Sequence, residues 1–167
     1  IEMIKSYQLM ERVVKNLDLT TRYYTVGYFT TKELWKNQPF SIKWLKSAKQ
    51  LELSSIRFNI EIVNGGFKVV GDNVKRSKGV IPLNSVHIIS GIPFKIIPKK
   101  GLKVDNYIGK QFIFELLPLR QTALGLSNGI NIKRVANQSD ILGLSLTGAN
   151  ATKIEAALNE IVKQFDL

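Results

Sequence analysis

The sequence predicts an α+β fold, with a mixed β-sheet packed against amphipathic helices in a single domain. Three observations carry that expectation. Near the start, Met3, Tyr7, Met10, Val14 and Leu17 recur at spacings of three and four, and Ile4 and Val13 widen the stripe. That is the period of a helix with one apolar face. In the middle, Ile56–Val63 alternates, with Ile56, Phe58, Ile60 and Ile62 on one side and Arg57, Asn59 and Glu61 on the other. Asn64-Gly65-Gly66 then turns the chain, because Asn and Gly accept positive φ cheaply. At the end, Ile154, Leu158, Ile161, Val162 and Phe165 restore the helical period.

The remaining elements follow in order. The first helix is expected to end near Asn16–Asp18. Residues 20–29 are rich in aromatic and β-branched residues and read as strand or extended chain. Thr30-Thr31-Lys32-Glu33 has the Ser/Thr-x-x-Glu form of a capping box and predicts a short helix through Leu34 and Trp35, closed by Pro39. Phe40–Leu45 alternates as a strand, and Phe67–Val70 returns as the partner of 56–63. Residues 72–85 are polar and predict a loop. Short strands are expected at Val86–Ile89 and Phe94–Ile97, a turn at Pro98–Gly101, and a strand over Gln111–Leu117. Pro118 suits the first turn of a helix running to about Asn128 and stopping at Gly129. Ile130–Val135 and Asp140–Thr147 read as two strands, the second covered on both sides. The last helix takes Asn150 as N-cap and Thr152-x-x-Glu155 as a capping box.

Composition narrows the function classes. A chain of 167 residues can bury a real core. It has no cysteine, which excludes disulfides, thiolate zinc sites and cysteine nucleophiles. No run of about 18 apolar residues occurs, so no segment reads as a membrane span. The chain opens on Ile1 without a signal peptide, already in a helical pattern, and reads as a piece of a longer protein. Its formal net charge of +11 favours acidic partners such as nucleic acid, anionic headgroups or acidic polymers. The basic residues are scattered, with a modest cluster at Lys95, Lys99, Lys100 and Lys103.

Catalytic motifs are not legible. The single histidine, His87, lies in a short strand and reads as structural or surface. Gly109-Lys110 resembles the end of a phosphate loop, but position 104 is Val and Gln111 stands where Ser or Thr should hold magnesium. Asp72, Asp105 and Glu115 could act as carboxylates only if the fold gathered them, alone or with His87. The sequence therefore assigns no catalytic, cofactor-binding or metal-ligating residue and predicts a protein that is not an enzyme. Tyr23, Tyr24, Tyr28, Phe29 and Trp35 invite a stacking role, against the simpler expectation that they pack between two helices.

Three stretches together carry a family resemblance. They are the opening helix through ERVVKNLDL with YYTVGYFTTKELWKNQPFSI, then QFIFELLPLRQTALGLSNGINIKRVANQSDILGLSLTG, then ANATKIEAALNEIVKQF. In this order they resemble the periplasmic part of bacterial polysaccharide chain-length determinants. These polysaccharide co-polymerases include the periplasmic regions of capsule and exopolysaccharide tyrosine autokinases. The match is weakest over residues 46–110, and Asn150-Ala151 stands where the family often has Asp-Pro. The resemblance implies a non-catalytic domain on the periplasmic side of the inner membrane, excised from a longer anchored protein. It implies a homo-oligomer working with the polymerase and export machinery of capsular, exopolysaccharide or O-antigen polymers. Helices 1–17 and 151–165 are then candidate interface elements, and glycan or lipid headgroups candidate contacts of the basic surface. The alternative is a basic nucleic-acid-binding module, which the charge alone motivates.

Overall fold

The computed structural model describes residues 4–71, 76–137 and 140–166. The fold class is α+β. The chain divides into two compact units, one formed by Ile1–Thr20 with Pro118–Leu167 and the other by Thr21–Leu117.

The first unit begins with α1 (Tyr7–Leu17). It starts later than the apolar stripe suggests because Ser6 caps it, its hydroxyl accepting from the Leu9 N–H at 3.3 Å. Asp18 ends it in the left-handed region at φ 51°, and the Leu19 N–H closes on the Val14 carbonyl at 3.0 Å.

The second unit holds two antiparallel sheets. In chain order its elements are β1 (Thr21–Val26), β2 (Thr31–Leu34), β3 (Phe40–Trp44), α2 (Ala48–Leu51), β4 (Ile56–Val63), β5 (Gly66–Val70), β6 (His87–Ile89), β7 (Ile92–Pro98) and β8 (Gln111–Leu116), with a 3-10 turn at Val104–Tyr107 before β8. One sheet has the order β2-β1-β8-β4-β5 and the other β3-β7-β6. Every described strand pairing is antiparallel, which corrects the mixed sheet expected from the sequence.

The core of this unit is drawn from both sheets. Phe58, Ile60, Ile62, Phe112 and Phe114 of the larger sheet belong to one buried cluster with Phe40, Ile42, Phe94 and Ile96 of the smaller. Phe58 lies 5.1 Å from Phe94 and 5.9 Å from Phe114, ring centroid to centroid. Each such phenyl group removed from water contributes about 1.5–3 kcal/mol. The alternation of β4 buries one face only, and the matching face of the second sheet covers it, so this unit's core is sheet against sheet where helices were expected.

Two local expectations fail here for identifiable reasons. Thr31–Leu34 is a strand, not a capped helix. Its backbone pairs with β1, Tyr23 opposite Leu34 and Thr25 opposite Lys32, and a tight turn joins them through Gly27 N–H to Thr30 carbonyl at 2.8 Å. Backbone pairing plus β-branched Thr outweighs a capping motif worth only about 1 kcal/mol. A short helix, α2, forms where the sequence reading placed none, held by a capping box between Ser47 and Gln50.

Gly66 is required by close approach. Its φ is 153°, and a Cβ there would sit 2.0 Å from the Ile81 carbonyl oxygen, which accepts from Phe67 N–H at 2.9 Å. Ile81 thereby bridges to Phe67 within a stretch otherwise read as loop; residues 72–75 of that loop lie outside the described residues.

The first unit resumes with α3 (Leu119–Gly129), β9 (Ile130–Arg134), β10 (Leu142–Leu146) and α4 (Ala151–Phe165). Pro118 is the N-cap of α3 and not its first helical residue. Asn150 caps α4, accepting from the Lys153 N–H at 3.0 Å, so Thr152 lies inside the helix and the expected Thr152–Glu155 box is not its start. β9 and β10 form a two-stranded ladder on their own, and no residue of β10 is fully buried, which corrects the expectation of cover on both sides. A two-stranded ribbon has two open edges and only one partner face against α4.

α1 and α4 run antiparallel. Arg12 Nε donates to Gln164 Oε1 at 3.3 Å and Asn16 Nδ2 to Glu160 Oε1 at 3.0 Å. Their apolar faces, with Met10, Val13 and Val14 from one and Ala157 and Ile161 from the other, are buried within the unit.

Candidate functional site

Charge is divided unequally. Thr21–Leu117 contains sixteen Lys and Arg against six Asp and Glu, a balance of +10 out of the chain's +11. Within it, residues 34–51 and 84–104 contain no Asp or Glu and eight basic residues, all Lys: 36, 43, 46, 49, 95, 99, 100 and 103. Those two stretches supply all three strands of the β3-β7-β6 sheet.

Strand alternation sorts their side chains. Phe40 and Ile42 of β3, and Ile92, Phe94 and Ile96 of β7, point into the core. Ser41 and Lys43, and Pro93, Lys95 and Ile97, therefore point outward. In register, Lys43 is directly opposite Lys95 and Ser41 is opposite Ile97. Lys99 N–H donates to the Pro39 carbonyl at 2.8 Å, which extends the pairing one step and puts Lys99 on the same outward side. None of these outward residues is buried. Among the described residues, Lys43, Lys95 and Lys99 make no ion pair and no side-chain hydrogen bond. Beside them the Gln38 amide donates to Ser41 Oγ at 3.4 Å.

Two like charges directly opposite on a sheet repel, where an opposite-charge pair would attract. The larger sheet shows that contrast. Glu115 of β8 is flanked in register by Arg22 of β1 and Arg57 of β4, and Arg57 Nη1 meets Glu115 Oε2 at 3.0 Å. The basic cluster expected at Lys95, Lys99, Lys100 and Lys103 is thus one part of a larger field, and Lys43 joins it through the fold alone. Strand pairing, not sequence spacing, sets Lys43 against Lys95, so the sequence carried no signal for it.

The carboxylates and imidazole considered for catalysis sit on separate elements. Glu115 is engaged with Arg57, Asp105 is exposed on the 3-10 turn, and Asp72 lies outside the described residues. His87 stands on edge strand β6 against Phe94, centroids 5.8 Å apart, and burial holds its pKa below the usual imidazole value. Among the described residues no group of three or more His, Cys, Asp or Glu could hold a metal ion. Gly109 and Lys110 lie in the turn before β8, with Lys110 over the Tyr107 ring at 5.1 Å.

The aromatic residues divide. Tyr23 packs on the core, its ring 5.5 Å from Phe114, and its hydroxyl accepts from Ile42 N–H at 3.2 Å. Tyr28 and Phe29 do not pack between helices: they form the tip of the β1–β2 hairpin, 95% and 91% exposed, in edge contact at 4.7 Å. The pairing of 31–34 with β1 is what lifts them into solvent.

Among the described residues of the first unit, an open, mostly apolar pocket of about 190 Å³ is lined by Ile4, Leu142, Leu144, Ile161, Val162 and Phe165, with Asp140 at its side. No helix among the described residues is long and apolar enough to cross a membrane. No protein-family model matches the chain, and no curated protein matches it.

Proposed function

We propose that this chain is a non-catalytic periplasmic domain of a bacterial polysaccharide co-polymerase, held at the inner membrane by other parts of its parent protein. In this reading it oligomerises and helps set the chain length, or the export, of capsular, exopolysaccharide or O-antigen polymer. One observation carries most of the structural support: Ile4 and Phe165 line the same pocket, because α1 and α4 pack antiparallel. The start of α1 and the end of α4 therefore lie side by side, which suits a domain carried between two membrane anchors. The role is scaffolding and needs no nucleophile or metal.

The test is the assembly state of the full-length parent protein in mild detergent or lipid. A defined oligomer is expected, and a stable monomer would overturn the reading. The residues following Leu167 give a second check, since an apolar stretch of about 20 residues is expected shortly after it.

The +10 carried by Thr21–Leu117 favours a second reading, a nucleic-acid-binding module. It requires binding to DNA or RNA that falls steeply with salt. A titration at two salt concentrations with no binding at the lower one removes it.

A further inference from the structure

We infer that the outward face of β3 and β7 is a docking strip for a linear acidic polysaccharide, held by Lys43, Lys95 and Lys99. The choice of a glycan rests on the co-polymerase reading; the existence of an anion-binding strip does not.

The strip is defined by charge that the fold leaves uncompensated. Lys43 and Lys95 are register partners, and no described carboxylate pairs with either of them or with Lys99. The backbone ladder holds these ammonium groups together on one face, so a bound anion recovers attraction that the free protein lacks.

Shape points to a linear occupant. The basic residues follow one pair of strands, and the four residue steps from Lys95 to Lys99 cover roughly 13 Å. The next strand, β6, presents only Ile88 on that face, opposite Pro93. On this face the three lysines therefore follow the strand pair and do not spread across the sheet, which matches a single polymer chain better than the plane of a membrane.

Chemistry points to a sugar polymer. The face has no aromatic residue on which a base could stack, since Phe40, Trp44 and Phe94 belong to the inward register. Ser41 lies between the lysines with the Gln38 amide beside it, offering neutral hydrogen-bonding groups suited to hydroxyls. Ile97 separates Lys95 from Lys99, and Pro93 continues the face with aliphatic surface beyond Lys95. Lysine, not arginine, provides every charge in the two carboxylate-free stretches. A lysine ammonium is a strongly hydrated point charge without a fixed fork, so it holds a carboxylate without locking its orientation. Such contacts let a polymer shift along the strip.

The experiment measures binding of the 167-residue chain to polygalacturonate, a linear polymer with one carboxylate per sugar, at two salt concentrations. Binding that weakens with salt is expected, with neutral dextran bound at least tenfold more weakly. The triple variant K43Q/K95Q/K99Q is expected to lose affinity about tenfold or more. The control K5Q/K133Q/K163Q removes the same charge from exposed sites in the other unit and is expected to change affinity by less than about threefold. Both variants are checked for wild-type circular dichroism. If the chosen triple misfolds, the single variant K95Q, expected to lose affinity measurably, takes its place.

No binding to polygalacturonate, equal loss in both triples, or equal binding of dextran would overturn the proposal. Tighter binding of an oligodeoxynucleotide or of phosphatidylglycerol vesicles through the same three lysines would also overturn it, assigning the strip to nucleic acid or lipid. The oligomer measurement on the parent protein involves none of these lysines, so failure of the strip and failure of the co-polymerase reading are separately visible.

Discussion

Asn16 and Glu160, 144 residues apart, are joined by a 3.0 Å hydrogen bond from the Asn16 amide to the Glu160 carboxylate. Gln164 donates to the same oxygen at 2.8 Å. The bonds tie the opening helix to the closing one. They also hold the Glu160 carboxyl below its ordinary pKa, the Asn16 bond first and the Gln164 bond second.

A depressed folded-state pKa means the ionised form is favoured in the fold, so its contribution exists above the unfolded value and disappears as pH falls through the folded one. Glu160→Ala is expected to cost a few tenths to about 1 kcal/mol at neutral pH, small because the group is solvent-exposed. The difference from wild type should vanish in acid. Urea unfolding of both proteins at neutral pH and well below the carboxylate range measures it; a constant difference would show that charge is not involved.

Asp18 behaves in the opposite sense. It ends α1 in the left-handed region, and partial desolvation of this otherwise exposed carboxyl raises it above the ordinary value of 3.8. It also places a negative charge at a helix C-terminus, where the dipole is unfavourable. Its contribution is fully present below the unfolded pKa and is lost as pH rises through the folded one. Asp18→Asn keeps a residue that tolerates positive φ and removes the charge. It should raise the melting temperature at neutral pH and lose that advantage below about pH 4.

Gly66→Ala tests the approach of Ile81. The added methyl would meet a backbone oxygen at 2.0 Å, and the φ of 153° is unsuited to a side chain. Strain and overpacking together are expected to cost about 2–4 kcal/mol. Gly79→Ala, with nothing within 4 Å of the new Cβ, is the matched control and should leave stability within about 0.5 kcal/mol. Denaturant midpoints compare the two.

Lys43→Glu converts a like-charge pair with Lys95 into an opposite-charge pair. Such cross-strand pairs differ by roughly 0.2–1 kcal/mol, so the variant should be more stable than wild type. Stability that rises while polyanion binding falls would mark the lysine as kept for a ligand and not for the fold. A variant less stable than wild type would count against the repulsion argument.

Much of the local structure was legible. The alternation of Ile56–Val63, its Asn-Gly-Gly turn and the stripe of Ile154, Ile161 and Phe165 each name an element from spacing alone. Thr31–Leu34 was not legible, because a capping-box pattern and a strand pattern overlap there and only pairing with Tyr23–Val26 decides between them. The exposure of Tyr28 and Phe29 follows from that same pairing and was misread with it. α2 was missed because four residues are too few to show a period.

The sequence by itself determined the α+β class, most element positions, the absence of cysteine chemistry and the strong positive charge. Those properties depend on residue type and on neighbours within a turn or two. Tertiary structure alone decided which strands pair, that the core between 40 and 116 is sheet against sheet, and that Lys43 faces Lys95. Strand partners are chosen by burial of a whole face and by backbone hydrogen bonding between distant segments. That long-range choice brought scattered lysines onto one strand pair.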